Sequence, residues 1–408
     1  MADGLPVLSQ PADRPEPVDW RRWRDRLLAS PRFHRWAAAL PGLRWMTRRQ
    51  SRRLFDLVAG FTYSQILLSC VRLGLFEHLR EGARSIADLQ ALTGLGERSL
   101  DILLRAGVSL DLLEWRSAQG AGPERRVGLG MLGAVVAGSP AIVALIEHHQ
   151  AVYDDLKDPV DLLRHPEQST RLRRYWAYAE DGYSVAEAEG YRGGQARGLA
   201  ADRVADYSEL MAASQPLVAE QVLASFDFSR YRCLLDLGGG QGAFIEQVAR
   251  QHPSLSLMLF DLPAVADRAR ARFAADAIGQ RVTCHGGSFF DDEMPQGADL
   301  VSLVRVLYDH PDERALSILK AARQALGPRG GDLILAEPMS GTPGAEAMGD
   351  AYFGFYLLAM GKGRARSAEE LCALVLAAGF DRAEPVKTRV PLQTGLIHAR
   401  VAATREIG

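Results

Sequence analysis

Asp236-Leu237-Gly238-Gly239-Gly240-Gln241-Gly242 is entered through the apolar run Cys233-Leu234-Leu235 and followed by Ala243-Phe244-Ile245-Glu246-Gln247-Val248-Ala249. The apolar run reads as a buried parallel strand, the glycines as a tight turn that brings the backbone close to a ligand, and the last stretch as a helix. A second apolar strand, Ser256 to Phe260, delivers Asp261 in Phe260-Asp261-Leu262-Pro263. In α/β nucleotide folds a carboxylate about twenty residues beyond the first turn accepts hydrogen bonds from ribose hydroxyls.

Two fingerprints compete for the turn. Gly238-x-Gly240-x-x-Ala243 is a degenerate dinucleotide pattern and would mark a nicotinamide oxidoreductase. The same glycines fit acidic-x-Gly-x-Gly-x-Gly with Asp236 at the strand end, which suits the aminoacyl half of S-adenosylmethionine (SAM). Asp236 favours the second, because a carboxylate there would repel a pyrophosphate.

The later crossovers extend the fold. Arg281 to His285 reads as a third strand, leading through Gly286-Gly287 to Ser288, Phe289 and Phe290, aromatics suited to an adenine. Ala298 to Leu307 is a fourth strand, and Tyr308-Asp309-His310-Pro311-Asp312-Glu313 stands at its carboxyl end, where open α/β sheets place ligands. Ala315 to Leu326 carries a helical apolar stripe, Asp332 to Glu337 is a fifth strand, and Val386–Val390 and Leu396–Ala402 read as closing strands. Residues 229–408 are therefore expected to form a doubly wound α/β (Rossmann-like) domain.

Upstream, residues 56–140 read as three helices and a hairpin, the pattern of a winged helix. Its third helix, from Glu97 to Arg105, has balanced charge, which speaks for dimerisation rather than DNA. Residues 141–228 read as a helical connector rich in aromatics, with Tyr207 and Met211 placed to roof a pocket.

Residues 1–55 form a basic arm. Eleven arginines face Asp19 and Asp25 between Pro17 and Arg53, a formal +9, and the segment holds Trp20, Trp23, Trp36 and Trp45. Three readings are open: contact with an anionic membrane surface through residues 17–53, an arm packed over its own or a partner subunit, or nucleic-acid binding.

Composition narrows the class. The 408 residues, −2 net charge and 47% hydrophobic content describe an ordinary globular chain without the basicity of a nucleic-acid binder. Cys70, Cys233, Cys284 and Cys372 are scattered, so free thiols are expected rather than disulfides or a metal site. His148-His149 are helix neighbours about 100° apart and do not suit shared ligation. No metal is expected. No uninterrupted apolar run approaches the ~20 residues that span a bilayer, and no signal-peptide core is seen, so the expected location is cytoplasmic, with peripheral membrane contact if the arm provides it.

Taken together, Asp-x-Gly-Gly-Gly-x-Gly, Phe-Asp-Leu-Pro, Gly-Gly-x-Phe-Phe and Val-Leu-x-Asp-x-x-Asp-Glu resemble the dimeric small-molecule SAM-dependent O-methyltransferases over residues 56–408. The resemblance implies a class I methyltransferase domain behind a winged-helix dimerisation domain, SAM as cofactor, a homodimer and a hydrophobic small-molecule substrate. It implies that Asp236, Gly238, Gly240, Gly242, Asp261, Leu262, Ser288, Phe289 and Arg305 surround the cofactor. Asp350 to Glu370, with Arg305 to His310, is most similar to the 1-hydroxycarotenoid O-methyltransferases. That likeness implies a substrate wall of Tyr352, Phe353, Tyr356 and Met360, and a tertiary hydroxyl as methyl acceptor.

One departure bears on mechanism. Many members of the family carry a histidine base in a His-Asp-Trp motif, and Tyr308 stands at that position here, with His310 two residues on. A phenol with an ordinary pKa near 10 is a poor base at neutral pH. Either His310 supplies the base, or the acceptor needs little base and Tyr308 orients its oxygen. Methylation of a phenol or tetrapyrrole, and a SAM-sensing regulator without catalysis, are the rival functions.

Overall fold

The computed structural model describes residues 19–116, 125–175, 215–389 and 394–403. Two units and a basic extension make up the chain. The extension comprises α1 (Trp20–Leu28), α2 (Pro31–Ala39) and the start of α3 (Pro41–Arg72). Ser30 caps α2 by accepting from Phe33 N, and Pro31 and Pro41 open helices at the first helical position, where a missing N–H costs nothing.

On sequence the basic arm ends at residue 55 and a separate domain begins at 56. Instead α3 runs unbroken for 32 residues across the expected 55/56 boundary. Taken singly, it is the one helix among the described residues long and apolar enough to cross a bilayer by length and composition. Asp56, Thr62, Ser64 and Gln65 interrupt its apolar residues, so it contains no continuous apolar run of that length. Its last turns bury Leu68 and Cys70 in the core of the N-terminal domain.

That domain adds α4 (Leu75–Leu79), α5 (Ile86–Thr93), α6 (Glu97–Ser109) and α7 (Met131–Ala137) around a three-stranded sheet. The hairpin of β2 (Leu113–Trp115) and β3 (Arg126–Leu129) gains β1 (Arg84–Ser85) on the other side of β3. Ser85 and Asp88 form a capping box on α5. Leu75, Phe76, Leu89, Leu100, Leu104 and Val127 are fully buried in one cluster. Helices α8 (Pro140–Asp155), α9 (Pro159–Arg164) and α10 (Arg171–Tyr175) lead towards the second unit, which a helix over 215–225 enters.

The second unit is a seven-stranded sheet in the order β6-β5-β4-β7-β8-β10-β9. The strands are β4 (Cys233–Leu237), β5 (Ser256–Asp261), β6 (Val282–Gly286), β7 (Leu300–Val304), β8 (Gly331–Glu337), β9 (Arg382–Val386) and β10 (Gly395–Val401). β4 to β8 run parallel, and β10 is antiparallel to both of its neighbours. Every residue of β7 is buried, as a central strand covered on both faces requires. Helices α11 (Ala243–Gln251), α12 (Pro263–Ala274), α13 (Asp312–Leu326), α14 (Phe353–Met360) and α15 (Ala368–Ala377) complete the layers. The doubly wound expectation is met, with one shift. The sixth strand is Arg382–Val386 rather than Val386–Val390. It contains Pro385, which lacks a ladder N–H but is tolerated because β9 is an edge strand. The order reverses between β4 and β7, so a crevice opens at the carboxyl ends of β4, β5 and β7.

Candidate active site

The glycine turn after β4 is built for a ligand. Gly238, Gly240 and Gly242 all adopt positive φ (71°, 57° and 81°), which L side chains resist. A Cβ on Gly238 would lie 2.8 Å from Val306, and one on Gly242 would lie 2.4 Å from the Phe273 ring. A Cβ on Gly240 would meet nothing within 4 Å. Gly238 and Gly242 are thus fixed by their own neighbours, whereas Gly240 faces open space.

Two carboxylates frame that space. Asp236 is buried, accepts a 2.6 Å hydrogen bond from the Ser302 hydroxyl on Oδ1, and has no partner for Oδ2 among the described residues. Burial pushes its carboxyl up to about 7, with Asp261 adding to the shift and Ser302 opposing it. Asp261, half-buried at the end of β5, accepts from Gly240 N at 2.8 Å and Leu262 N at 2.7 Å. Burial raises it to about 6 against the pull of those two N–H groups. An orphaned buried oxygen, an open glycine face and a strand-end carboxylate fit the aminoacyl and ribose parts of SAM.

Beside them, the Phe289 ring packs on Phe260 (5.6 Å between centroids) and closes one side of the Gly238 turn. Ser288 is engaged locally. Its Oγ donates to Asp291 and its N–H to Asp292, so it shapes the turn that presents Phe289. Leu262 is exposed beside Asp261.

The turn after β7 holds the other half of the site. Arg305 has a left-handed φ of 59°, an uncommon backbone state for a side-chain-bearing residue and typical of functional sites. The Tyr308 side chain lies beside those of Arg305 and Asp309 and interacts with both. Tyr308 and Asp309 are both buried, and Asp309 Oδ1 has no partner among the described residues. Burial holds the Tyr308 phenol well above its usual value, with the Asp309 charge adding to it. Burial, then Glu337, holds the Asp309 carboxyl high. The sequence grouped Arg305 with the cofactor residues, and the structure brings it to Tyr308.

The same turn is strapped from two sides. Glu337, buried at the end of β8, accepts from Val306 N at 2.9 Å and Leu307 N at 2.7 Å, with Tyr308 N farther away at 3.4 Å. Arg366, 1% exposed, donates to the Leu307 carbonyl (2.8 Å), the His310 carbonyl (2.7 Å) and Asp312 (2.8 Å). Gly363 is needed here too, since a Cβ would lie 2.1 Å from the Tyr308 carbonyl. Neither Glu337 nor Arg366 was picked out as a functional residue from sequence. Glu337 had a usable signal, an acid at the carboxyl end of a parallel strand. Arg366 had none, because its acceptors are main-chain carbonyls.

The two base candidates part company. Tyr308 meets the Phe353 ring at 6.1 Å, whereas the His310 ring lies 6.4 Å from Phe290. Around Tyr308, Tyr352 stacks on Tyr356 at 6.0 Å, Phe353 packs edge-on to both, and buried Met360 joins the same cluster. The structure thus brings Tyr352, Phe353, Tyr356 and Met360 together with Tyr308. Tyr207 and Met211 lie outside the described residues. From the N-terminal side, α8 adds His148 and His149, whose rings lie 5.8 Å from Tyr356 and 5.6 Å from Tyr352. No group of three or more metal-ligating side chains is found among the described residues.

Comparison with known proteins extends over both units. Residues 55–137 match the O-methyltransferase dimerisation domain, and residues 185–381 match the O-methyltransferase domain. The demethylspheroidene O-methyltransferase of Cereibacter sphaeroides is 41% identical over 355 residues, covering 87% of this chain and 88% of that protein. That of Rhodobacter capsulatus is 36% identical, covering 96% of this chain and 93% of its own. Human N-acetylserotonin methyltransferase, solved in complex with SAM, shares the fold with a TM-score of 0.68 at 23% identity, over 86% of this chain and 98% of its own.

Proposed function

Since this chain belongs to the O-methyltransferase family, we propose that it uses SAM to methylate the terminal tertiary hydroxyl of an acyclic hydroxycarotenoid. The observation that carries the reading is near full-length likeness to two demethylspheroidene enzymes, combined with a tyrosine where acidic phenol acceptors call for a histidine base. The dimerisation domain supports a homodimer, and α3 offers an exposed apolar stripe of Leu54, Leu57, Val58 and Phe61 to a second copy.

When bound, SAM supplies an electrophilic methyl group on a sulfonium. The chain's own part is placement. Asp261 would receive the ribose hydroxyls, Asp236 and the open face of Gly240 would receive the aminoacyl end, and Phe289 would stand beside the adenine. Lining up acceptor oxygen, methyl and sulfur at about 3–3.5 Å accounts for much of the acceleration in such a transfer. Tyr308 is the group that holds the acceptor oxygen. A tertiary alcohol keeps its proton until attack is under way. The Tyr308 hydroxyl then accepts that proton while passing its own to the neighbouring Asp309 carboxylate. Arg305 steadies the phenolic oxygen as charge moves through it.

The test is transfer of labelled methyl from SAM to 1-hydroxyneurosporene in detergent micelles, to a catechol and to a bacteriochlorophyllide. Label in the carotenoid alone is expected. Label in the catechol or the tetrapyrrole alone would overturn the substrate assignment.

A further inference from the structure

Among the described residues, none of 19–53 lines the site, and the dimerisation match begins only at residue 55. All eleven arginines of this segment are exposed. So are Trp20, Trp23, Trp36 and Trp45, at 57–67% of their full surface. Within α1 and α2 only Ala37 is buried. Packing therefore does not explain the tryptophans, since a large ring left in water gains nothing from the fold. Cations and rings share one surface. Arg24 lies 5.3 Å over Trp20, and Arg49 lies 5.5 Å over Trp45.

Charge decides between occupants. Among the described residues, the ion pairs of this segment are internal, Arg22 with Asp19 and Arg24 with Asp25. No acidic group elsewhere among the described residues pairs with them. A second copy would present the same +9 arm, so arm-on-arm contact is repulsive. Nucleic acid would satisfy the arginines but not four solvent-facing indoles spread over three helices. The headgroup layer of an anionic bilayer satisfies both, with indoles at the water–hydrocarbon boundary and guanidinium groups on lipid phosphate.

We propose that α1, α2 and residues 41–53 of α3 form a docking surface for the anionic phospholipid headgroups of a bilayer. The surface is argued from its charge and exposure. That it meets an apolar substrate dissolved in the bilayer rests on the function proposed above.

The experiment is co-sedimentation of the full chain with phosphatidylglycerol-containing vesicles and with neutral phosphatidylcholine vesicles, at low and high salt. Two variants accompany it, R21E/R22E/R24E/R26E and W20S/W23S. Both fall on α1, which buries no side chain, so the core is untouched. The expected result is binding to the anionic vesicles alone, reversed by salt and weakened at least tenfold by the arginine variant and several-fold by the tryptophan variant. Equal binding to neutral vesicles, no binding, or unchanged binding in the arginine variant would overturn the proposal. So would retention of duplex DNA without vesicle binding, or loss of the dimer in the variants without vesicle binding. Vesicle binding with no methylation of the carotenoid would refute the substrate reading and leave the docking surface standing. Methylation of micellar carotenoid with no vesicle binding would do the reverse.

Discussion

Nε2 of His148 lies 2.9 Å from the hydroxyl of Tyr356, although 208 residues separate them in sequence. The contact ties α8 of the N-terminal side to α14 of the catalytic side, next to Tyr308. Burial, with the charges of His149 and Arg305, lowers the His148 imidazole to about 4, so it is neutral throughout the physiological range. A neutral-favoured histidine contributes stability that is full above its unfolded value near 6.5 and lost as pH falls towards about 4. His148→Gln should therefore flatten part of the acid-side fall in melting temperature. A double-mutant cycle with Tyr356→Phe should give a coupling of about 0.5–1.5 kcal/mol. Additive effects in that cycle would show that the bond contributes nothing.

Asp236 and Asp261 carry raised values, about 7 and about 6, and only their ionised forms accept hydrogen bonds fully. SAM affinity should be full above pH 7 and weaken as pH falls through the two values, by roughly tenfold or more between pH 8 and pH 5. Stability of the ligand-free protein runs the other way. Carboxyls raised in the fold contribute most below their unfolded value near 4 and lose that contribution as pH rises through 6 to 7. Asp261→Asn should remove the lower limb of the affinity profile in calorimetric titrations and weaken SAM binding by about 1.5–3 kcal/mol at pH 8.

Two glycines of one turn should fail differently. Gly242→Ala drives a Cβ into the Phe273 ring at 2.4 Å, and its cost should appear as a lower melting temperature. Gly240→Val meets open space in the protein but fills the ligand's face and strains a φ of 57°. The valine variant should remain folded, losing about 1–2 kcal/mol to backbone strain, and should lose detectable SAM binding.

In the proposed relay, Tyr308→Phe would remove the link between acceptor oxygen and Asp309. The expected result is a fall in kcat of about 10²–10⁴ with SAM affinity unchanged. Asp309→Asn should cost a similar factor. The double variant should be little worse than either single, as for groups that act as a unit. Multiplicative losses in the double variant would refute the relay.

Arg366→Met leaves the carbonyls of Leu307 and His310 without their donor. A loss of stability of about 3–5 kcal/mol is expected by chemical denaturation, the range for breaking a buried charged partner. Arg366→Lys should recover only part, since one ammonium cannot reproduce the guanidinium fork that reaches three acceptors.

The cofactor half of the site was legible because it is local. Asp236, the three glycines and Asp261 lie at the ends of consecutive strands, so spacing alone brings them together. The acceptor half was legible only as residue types. Tyr308, Tyr352, Phe353 and Tyr356 could be named from resemblance, but Arg305 turning onto Tyr308, and the straps of Glu337 and Arg366, depend on main-chain groups that no side-chain pattern encodes. His148 read as one of an unremarkable pair, because its partner is supplied by tertiary structure. The continuity of α3 is likewise hidden in the sequence. Its proline stands at the first helical position, where it starts a helix rather than breaking one.

That continuity has a mechanical outcome. Helix hydrogen bonding does not lapse at residue 55, so the basic extension and the dimerisation domain share one rod, about 48 Å long at 1.5 Å per residue. The extension is thus an outrigger rather than a leash. It cannot swivel freely, and whatever it rests on sets the attitude of the catalytic crevice as well as its distance. In a homodimer two such rods, related by symmetry, would fix that attitude twice over, so a glycine pair inserted between Arg53 and Leu54, outside both the basic surface and the Leu54–Phe61 stripe, should uncouple adhesion from turnover.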